Sequence, residues 1–222
     1  ADLTFFTPEG EIAAQVSGMR LKRTTPATMR RLVQQAAGRS AYADWLYRQE
    51  WKPQPLSTQP QPTALPERWL VLADDAYTQT IAQAIPGAVI VAPGEDCAQI
   101  DADRWSVRLS ERQDFEHVLG AVQPGGVICL SDSIEAVLHL TQAATAMPAA
   151  PQIWLAVRGS QPVLGSGGSE DVRVLPAAVW GFARSARLEY PDLTLHCVDL
   201  DPASLSSQNA RSLWEDISAQ NE

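Results

Sequence analysis

Residues Ala177–Glu189 read AAVWGFARSARLE, and after Tyr190-Pro191 the chain continues over Leu193–Pro202 as LTLHCVDLDP. The first stretch follows Pro176, carries its apolar residues at helical spacing, and is predicted as a helix over Pro176–Leu188. The second is apolar and β-branched at its centre and is predicted as a strand over Leu193–Leu200. A helix leading through a short turn into a buried strand is half of an α/β unit.

The same alternation extends upstream. Strands are predicted at Trp69–Ala73 (WLVLA), Ala88–Ala92 (AVIVA), Arg104–Leu109, Val127–Leu130 and Ile153–Val157. Helices are predicted between them: Ala76–Ile85, ended by Pro86-Gly87; Glu111–Val122, ended by Pro124-Gly125-Gly126; and Ser133–Met147, with Ile134, Val137, Leu138 and Leu140 as its apolar stripe. A last helix, Ser206–Ser218, follows the Leu193–Leu200 strand. Short apolar strands separated by helices imply a mostly parallel sheet covered on both faces.

Before residue 68 the pattern changes. Leu3–Phe6 and Ile12–Leu21 flank the turn Thr7-Pro8-Glu9-Gly10 and read as a β-hairpin. An isolated hairpin is marginal in water, so this one is expected to be the end of something larger. Thr25-Pro26 opens a helix that stops near Gly38, with Thr25 as cap and Pro26 at the first helical position. Ala41–Pro55 concentrates Trp45, Leu46, Tyr47 and Trp51, and Ser57–Pro66 (STQPQPTALP) is an extended linker.

Composition narrows the function. At 222 residues the chain holds one substantial domain and a smaller appendage. No apolar run approaches the ~20 residues that span a bilayer. The start, ADLTFFTPEGE, lacks the basic and apolar regions of a signal peptide, so the expected location is cytoplasmic. Residues 1–52 hold eight Lys/Arg against five Asp/Glu, a balance of +3, whereas residues 53–222 hold nine against twenty-one, a balance of −12. The larger part would repel phosphate backbones, which argues against nucleic-acid binding. Cys97, Cys129 and Cys197 lie far apart, without metal-ligand spacing, and read as reduced, buried thiols.

Catalytic patterns fail one by one. A dinucleotide site needs glycines in the turn after its first strand. Here that turn is Leu72-Ala73-Asp74-Asp75-Ala76-Tyr77, two carboxylates suited to helix capping and repulsive to a pyrophosphate. The cluster Gly165-Ser166-Gly167-Gly168 matches neither a dinucleotide nor a P-loop pattern and reads as a surface loop. Ketone reduction by a tyrosine and a lysine one helical turn apart is excluded, because the chain has two lysines, Lys22 and Lys52, and neither lies four residues after a tyrosine. Ser185, His196 and Asp199 do not make a hydrolase triad: the strand period puts His196 and Asp199 on opposite faces, and no G-x-S-x-G elbow is present. His117 and His139 stand singly in predicted helices. Glu95, Asp96, Asp101 and Asp103 form an acidic loop without the ordered spacing of a calcium site. No catalytic, cofactor-binding or metal-binding residue is therefore assigned.

Three blocks resemble the structural subdomain of ketoreductases in modular type I polyketide synthases: Leu46–Pro53 (LYRQEWKP), Ile153–Pro162 (IWLAVRGSQP) and Pro176–Pro202. The resemblance covers roughly residues 41–222. It implies a truncated Rossmann-like, short-chain-dehydrogenase-like fold with no catalytic residues, preceded by an N-terminal β-hairpin and linker. Residues 1–23 (LTFFTPEGEIAAQVSGMRLKR at their core) resemble the closing strands of a dehydratase of the hot-dog fold, with 24–40 as a linker helix. The implied function is a non-catalytic scaffold that braces a catalytic ketoreductase subdomain, or a vestigial ketoreductase, within a reducing module. The implied partners are that subdomain and neighbouring dehydratase, enoylreductase or other synthase domains, with no nucleic acid or membrane. No cofactor is expected on this segment, NADPH belonging to the catalytic subdomain. The helix Pro176–Leu188 would lie at a pseudo-dimer contact, with Trp180, Phe182 and Arg184 as interface residues. The alternative is a free-standing Rossmann-like ligand-binding protein with a pocket near Asp132 or Arg158, or an enzyme of unknown mechanism.

Overall fold

The computed structural model describes residues 3–7, 10–18, 51–54, 65–162 and 172–219. The chain divides into two units, 1–50 and 51–222. In the first, β1 (Leu3–Phe6) pairs antiparallel with β2 (Ile12–Val16). The turn closes with the Thr7 amide donating to the Glu11 carbonyl at 2.7 Å and the Gly10 amide to the Thr7 carbonyl at 2.9 Å. The expected helix at 25–38, most of the 41–55 segment, the 57–66 linker and the Gly165–Gly168 loop lie outside the described residues or largely so; Trp51–Gln54 is described and carries no regular element.

The second unit is a seven-stranded sheet between two layers of helices. Its strands are β3 (Trp69–Leu72), β4 (Ala88–Pro93), β5 (Ala98–Asp101), β6 (Arg104–Val107), β7 (Gly126–Cys129), β8 (Gln152–Arg158) and β9 (Leu195–Leu200). Its helices are α1 (Ala76–Gln83), α2 (Arg112–Val122), α3 (Ile134–Thr145), α4 (Val174–Glu189) and α5 (Ser206–Ala219). The spatial order is β5-β6-β4-β3-β7-β8-β9, with every pairing parallel except β5 against β6. Without β5, the parallel strands run third-second-first-fourth-fifth-sixth in chain order, the doubly wound Rossmann order.

The strand period sorts the core. Leu70 and Leu72 of β3 join the cluster containing Phe115 and Leu119 of α2, Leu140 of α3, and Val179 and Ala183 of α4. Trp69 and Val71 point the other way, to Ile81 of α1 and Leu213 of α5, where the Trp69 and Trp214 rings meet edge-on at 5.9 Å. Each helix start has its own device. Asp75 and Thr78 form a reciprocal capping box on α1, and Ser133 caps α3 through the Ala136 amide. Pro176 falls in the first turn of α4, where its missing N–H costs nothing.

One expectation is corrected. The acidic loop at 95–103 contains β5, a short antiparallel edge strand on β6. Its sequence, Ala-Gln-Ile-Asp, is exposed beyond the half-buried Ala98 and leaves Ile100 60% exposed, so burial imposes no apolar alternation to read.

Asp114 of α2 ties the helix to the end of β6. It is 3% exposed and accepts from the Arg108 amide at 2.9 Å, from Arg108 Nε at 2.9 Å and from Arg108 Nη2 at 2.7 Å. The Arg108 hydrogen bonds and charge outweigh burial and hold the Asp114 carboxyl below the usual carboxylate range. A folded-state pKa below the unfolded value adds stability that is complete above pH ~4 and lost as pH falls through the folded value. Asp114→Ala is expected to cost about 2 kcal/mol in urea unfolding at pH 7, because Arg108 can rehydrate but its amide loses an acceptor. The difference between variant and parent should shrink below pH ~4.

Candidate functional site

The carboxyl ends of β3, β7, β8 and β9 open into a crevice of ≈ 320 Å³ at the point where strand order reverses between β3 and β7. Open α/β sheets bind ligands at this place. Its charged lining is Asp74, Asp75, Asp132, Arg158 and Arg173, with Tyr77 beside them.

The turn after β3 is occupied by side chains of the chain itself. Asp75 takes the Thr78 amide at 2.6 Å and the Thr78 hydroxyl at 2.8 Å, while its own amide donates back to Thr78 Oγ1 at 3.0 Å. Burial pushes the Asp75 carboxyl up, but the Thr78 amide and hydroxyl together outweigh it and hold the group below its ordinary value. The amide that would receive a phosphate at this helix start therefore already holds an anion. Asp74 accepts from the hydroxyl of Ser131 at 2.6 Å, a buried residue whose oxygen also takes the Ser133 amide at 3.1 Å. The two carboxylates thus brace the starts of α1 and α3.

The opposite wall is equally committed. Arg173, at the N-terminal boundary of α4, pairs with Asp132 at 3.0 Å. Burial raises the Asp132 carboxyl, and Arg173 offsets this only in part. The Arg158 guanidinium lies over the Tyr77 ring, 4.0 Å from its centroid. Tyr77 is fixed in turn: its hydroxyl donates to the Ser204 carbonyl at 3.0 Å and accepts from Asn209 Nδ2 at 2.7 Å. Gly159 follows with φ +66°, a left-handed turn that aims its carbonyl at the Arg173 amide, 2.9 Å away.

The residues weighed from sequence do not assemble into another centre. Asp199 accepts the amides of Ser160 at 2.8 Å and Gln161 at 2.9 Å and so anchors the loop after β8. Burial raises its carboxyl despite those bonds. The His196 ring stacks on Trp154 at 4.1 Å, and Ser185 lies on the exposed side of α4. His117 packs edge-on against Trp105, and His139 Nδ1 lies 3.3 Å from the Leu109 carbonyl. Burial pushes the Cys129 thiol up to about 12 and that of Cys197 up to about 11; Cys129 is fully buried, while Cys97 and Cys197 are half-buried. Among the described residues, no group of three or more His, Cys, Asp or Glu is placed to hold a metal ion. No helix described is long and apolar enough to cross a membrane.

The place near Asp132 or Arg158 where the alternative ligand-binding reading would need a pocket lies in this crevice, and the capping reading of the Asp74-Asp75 turn holds for Asp75. Sequence reasoning missed Tyr77, Ser131 and Arg173. The first two lie within five residues after a strand end, the signal that the switch-point rule supplies once strand order is known. Arg173 stands just before α4, away from any strand end, and has no such signal.

The other feature is the outer face of α4. Val179, Ala183 and Ala186 face the core, and Trp180 and Phe182 are half-buried against it, Trp180 meeting the Trp51 ring edge-on at 6.2 Å. Of the three expected interface residues, two therefore pack inward and only Arg184 is exposed. The apolar groups that do face out are Val174 (79% exposed), Leu175 (60%) and Leu188 (84%).

Comparison with known proteins bears on both features. Residues 49–222 match the family described as "Polyketide synthase extender module SpnB, Rossmann fold domain". A component of the phenolphthiocerol/phthiocerol polyketide synthase of Mycobacterium tuberculosis (strain H37Rv) is 30% identical over 186 residues, and the Mycobacterium bovis protein of the same name matches equally. The alignment takes in 75% of this chain but 11% of those relatives, so the chain spans about a ninth of their length. In fold, the chain resembles a keto acid-selecting NRPS module solved with its adenylation, ketoreductase and pseudo-Asub domains (TM-score 0.62, 15% identity, 78% of this chain, 16% of that one). An A-type ketoreductase from a modular polyketide synthase is also similar (TM-score 0.50, 17% identity, 73% of this chain, 36% of that one).

Tyr77→Phe removes the acceptor that Asn209, 3% exposed, uses across α1 and α5. It is expected to lower unfolding free energy by about 1 kcal/mol, measured by urea denaturation.

Proposed function

Because the chain belongs to the family of Rossmann-fold domains of polyketide synthase extender modules, we propose that it is the non-catalytic half of a synthase ketoreductase and braces the catalytic half. In this reading residues 41–222 are the structural subdomain, 24–40 a linker, and 1–23 the end of a preceding dehydratase. NADPH belongs to the catalytic half, and the synthase works in the cytoplasm. The parent reductase is either active or kept as architecture.

The observation that carries the proposal is the outer face of α4. Val174 and Leu188 are mostly exposed on one side of the helix that stands just before the last strand, and no described residue covers them. Large apolar groups left on one exposed face mark an interaction surface. The crevice supports the non-catalytic part of the reading. Its helix N-terminus is capped by Asp75, and its tyrosine hydroxyl is bonded to Asn209 and Ser204 rather than to a lysine. A pyrophosphate entering there would displace the Asp75 cap and meet the Asp74 charge.

The test has two arms. NADPH titrated into the purified chain, followed by quenching of its seven tryptophans, is expected to give no saturable change up to millimolar concentration. Saturable quenching would instead favour a ligand-binding Rossmann-like protein acting through the Asp132 and Arg158 crevice. Mixed with the downstream reductase segment of the same synthase, the chain is expected to co-elute with it in size-exclusion chromatography. Leu188→Asp should weaken that complex at least about tenfold without lowering the melting temperature of the chain alone, because a large apolar contact is lost and a charge must be desolvated. Co-elution that survives Leu188→Asp unchanged would remove α4 as the contact.

A further inference from the structure

Resting on that bracing reading, we propose that Arg184 chooses the partner of α4: it selects an apolar helix with a carboxylate on its flank and disfavours a second copy of α4 itself. An α-helix turns about 100° per residue, which puts Val174, Ala177, Ala178, Gly181, Arg184, Ser185 and Leu188 within roughly 60° of the Gly181 direction. All but the half-buried Ala177 are exposed. Val174 and Leu188 stand seven residues to either side of Gly181, so the face has large apolar ends and a small centre.

Among the described residues nothing requires a glycine at position 181. A Cβ there would meet nothing within 4 Å, and its φ is not in the left-handed region. Glycine in a helix interior is unfavourable relative to alanine. A bare backbone on an exposed apolar face is explained by the close approach of another helix from outside.

Arg184 is the single charge on that face, and no carboxylate of the described residues pairs with it. Of the arginines on this helix and at its start, Arg173 pairs with Asp132 and Arg187 Nε donates to the Leu195 carbonyl at 2.8 Å. Arg184 makes no hydrogen bond or ion pair with the described residues. Glu189, the one carboxylate of α4, lies about 140° around the helix from it. Covering this face leaves the guanidinium without water unless the partner brings an acceptor.

A second copy brings the wrong charge. In a twofold pair crossing antiparallel at Gly181, Leu188 packs against the partner's Val174, which suits both. The two Arg184 residues, however, fall on the same flank, about 9 Å apart along the axis. That is on the order of the screening length at physiological salt, so the repulsion is felt and grows as salt is lowered. A partner helix with Asp or Glu at that position converts the repulsion into attraction, and specificity follows from the difference.

The experiment uses the chain alone. Sedimentation equilibrium at about 20 mM salt, where charges are weakly screened, compares the parent chain, Arg184→Glu, Arg184→Gln and an equimolar mixture of the parent with Arg184→Glu. The mixture is expected to associate about threefold more tightly than either component, and Arg184→Gln more tightly than the parent; both differences should fade at high salt. A statistical mixture, a weaker Arg184→Gln pair, or monomers throughout with the mixture included would overturn the proposal. Leu188→Asp separates this failure from failure of the bracing reading. If it abolishes association while the Arg184 variants behave alike, only the role of Arg184 falls. If it changes nothing, the face itself is wrong.

Discussion

The structure depends on a strand that water never reaches. Each residue of β3 is at most 1% exposed, and the strand is paired on both edges, with β4 and with β7. Such a strand has to be covered on both faces, and its alternating side chains divide the work. Leu70 and Leu72 require α2, α3 and α4; Trp69 and Val71 require α1 and α5. Burying a side chain of this size contributes roughly 1.5–3 kcal/mol each, so four in a row outweigh the choices made at the sheet margins. Where β3 stops, the strand order reverses, and the crevice and its charged lining are placed by that fact alone.

This explains which parts of the fold were legible. The runs WLVLA, AVIVA and IWLAV are apolar throughout because they sit in a parallel sheet hidden on both sides, and such runs announce themselves. The helices were readable from their stripes and stops, with ends displaced by at most two residues where frayed turns carry no side-chain signal. β5 was not readable, because an edge strand with only Ala98 half-buried is under no pressure to alternate. The Asp75 cap was legible, since an acidic residue before a helix has a local reason to be there. Tyr77 under Arg158 was not. That contact joins β8 to α1 across some eighty residues of sequence and exists only once the sheet has brought them together.

The crevice and the α4 face differ in how their chemistry is used. In the crevice the polar groups serve one another. Asp75 is committed to Thr78, Asp74 to Ser131, Asp132 to Arg173, and the Tyr77 hydroxyl to Asn209 and Ser204. At the place where this fold commonly receives a ligand, these contacts brace β3, α1, α3 and α5. Burial raises Asp132 and Asp199, so holding them ionised costs stability, and what each gains in return is a contact inside the chain, Arg173 for Asp132 and the Ser160 and Gln161 amides for Asp199.

On α4 the balance runs the other way. Val174, Leu175, Leu188, Gly181 and Arg184 make almost no contribution to the fold that contains them, and several are worse choices for an exposed helix than alanine or glutamate. Sequence reading points to this helix through Trp180 and Phe182, the large residues of the motif, and those two turn inward. Size is a poor guide here. Large aromatics sit where two surfaces of one domain already meet, as Trp180 does against Trp51 and the core. Apolar groups left in water, a glycine with nothing beside it and a charge without a hydrogen bond or ion pair among the described residues lie together on one side of α4.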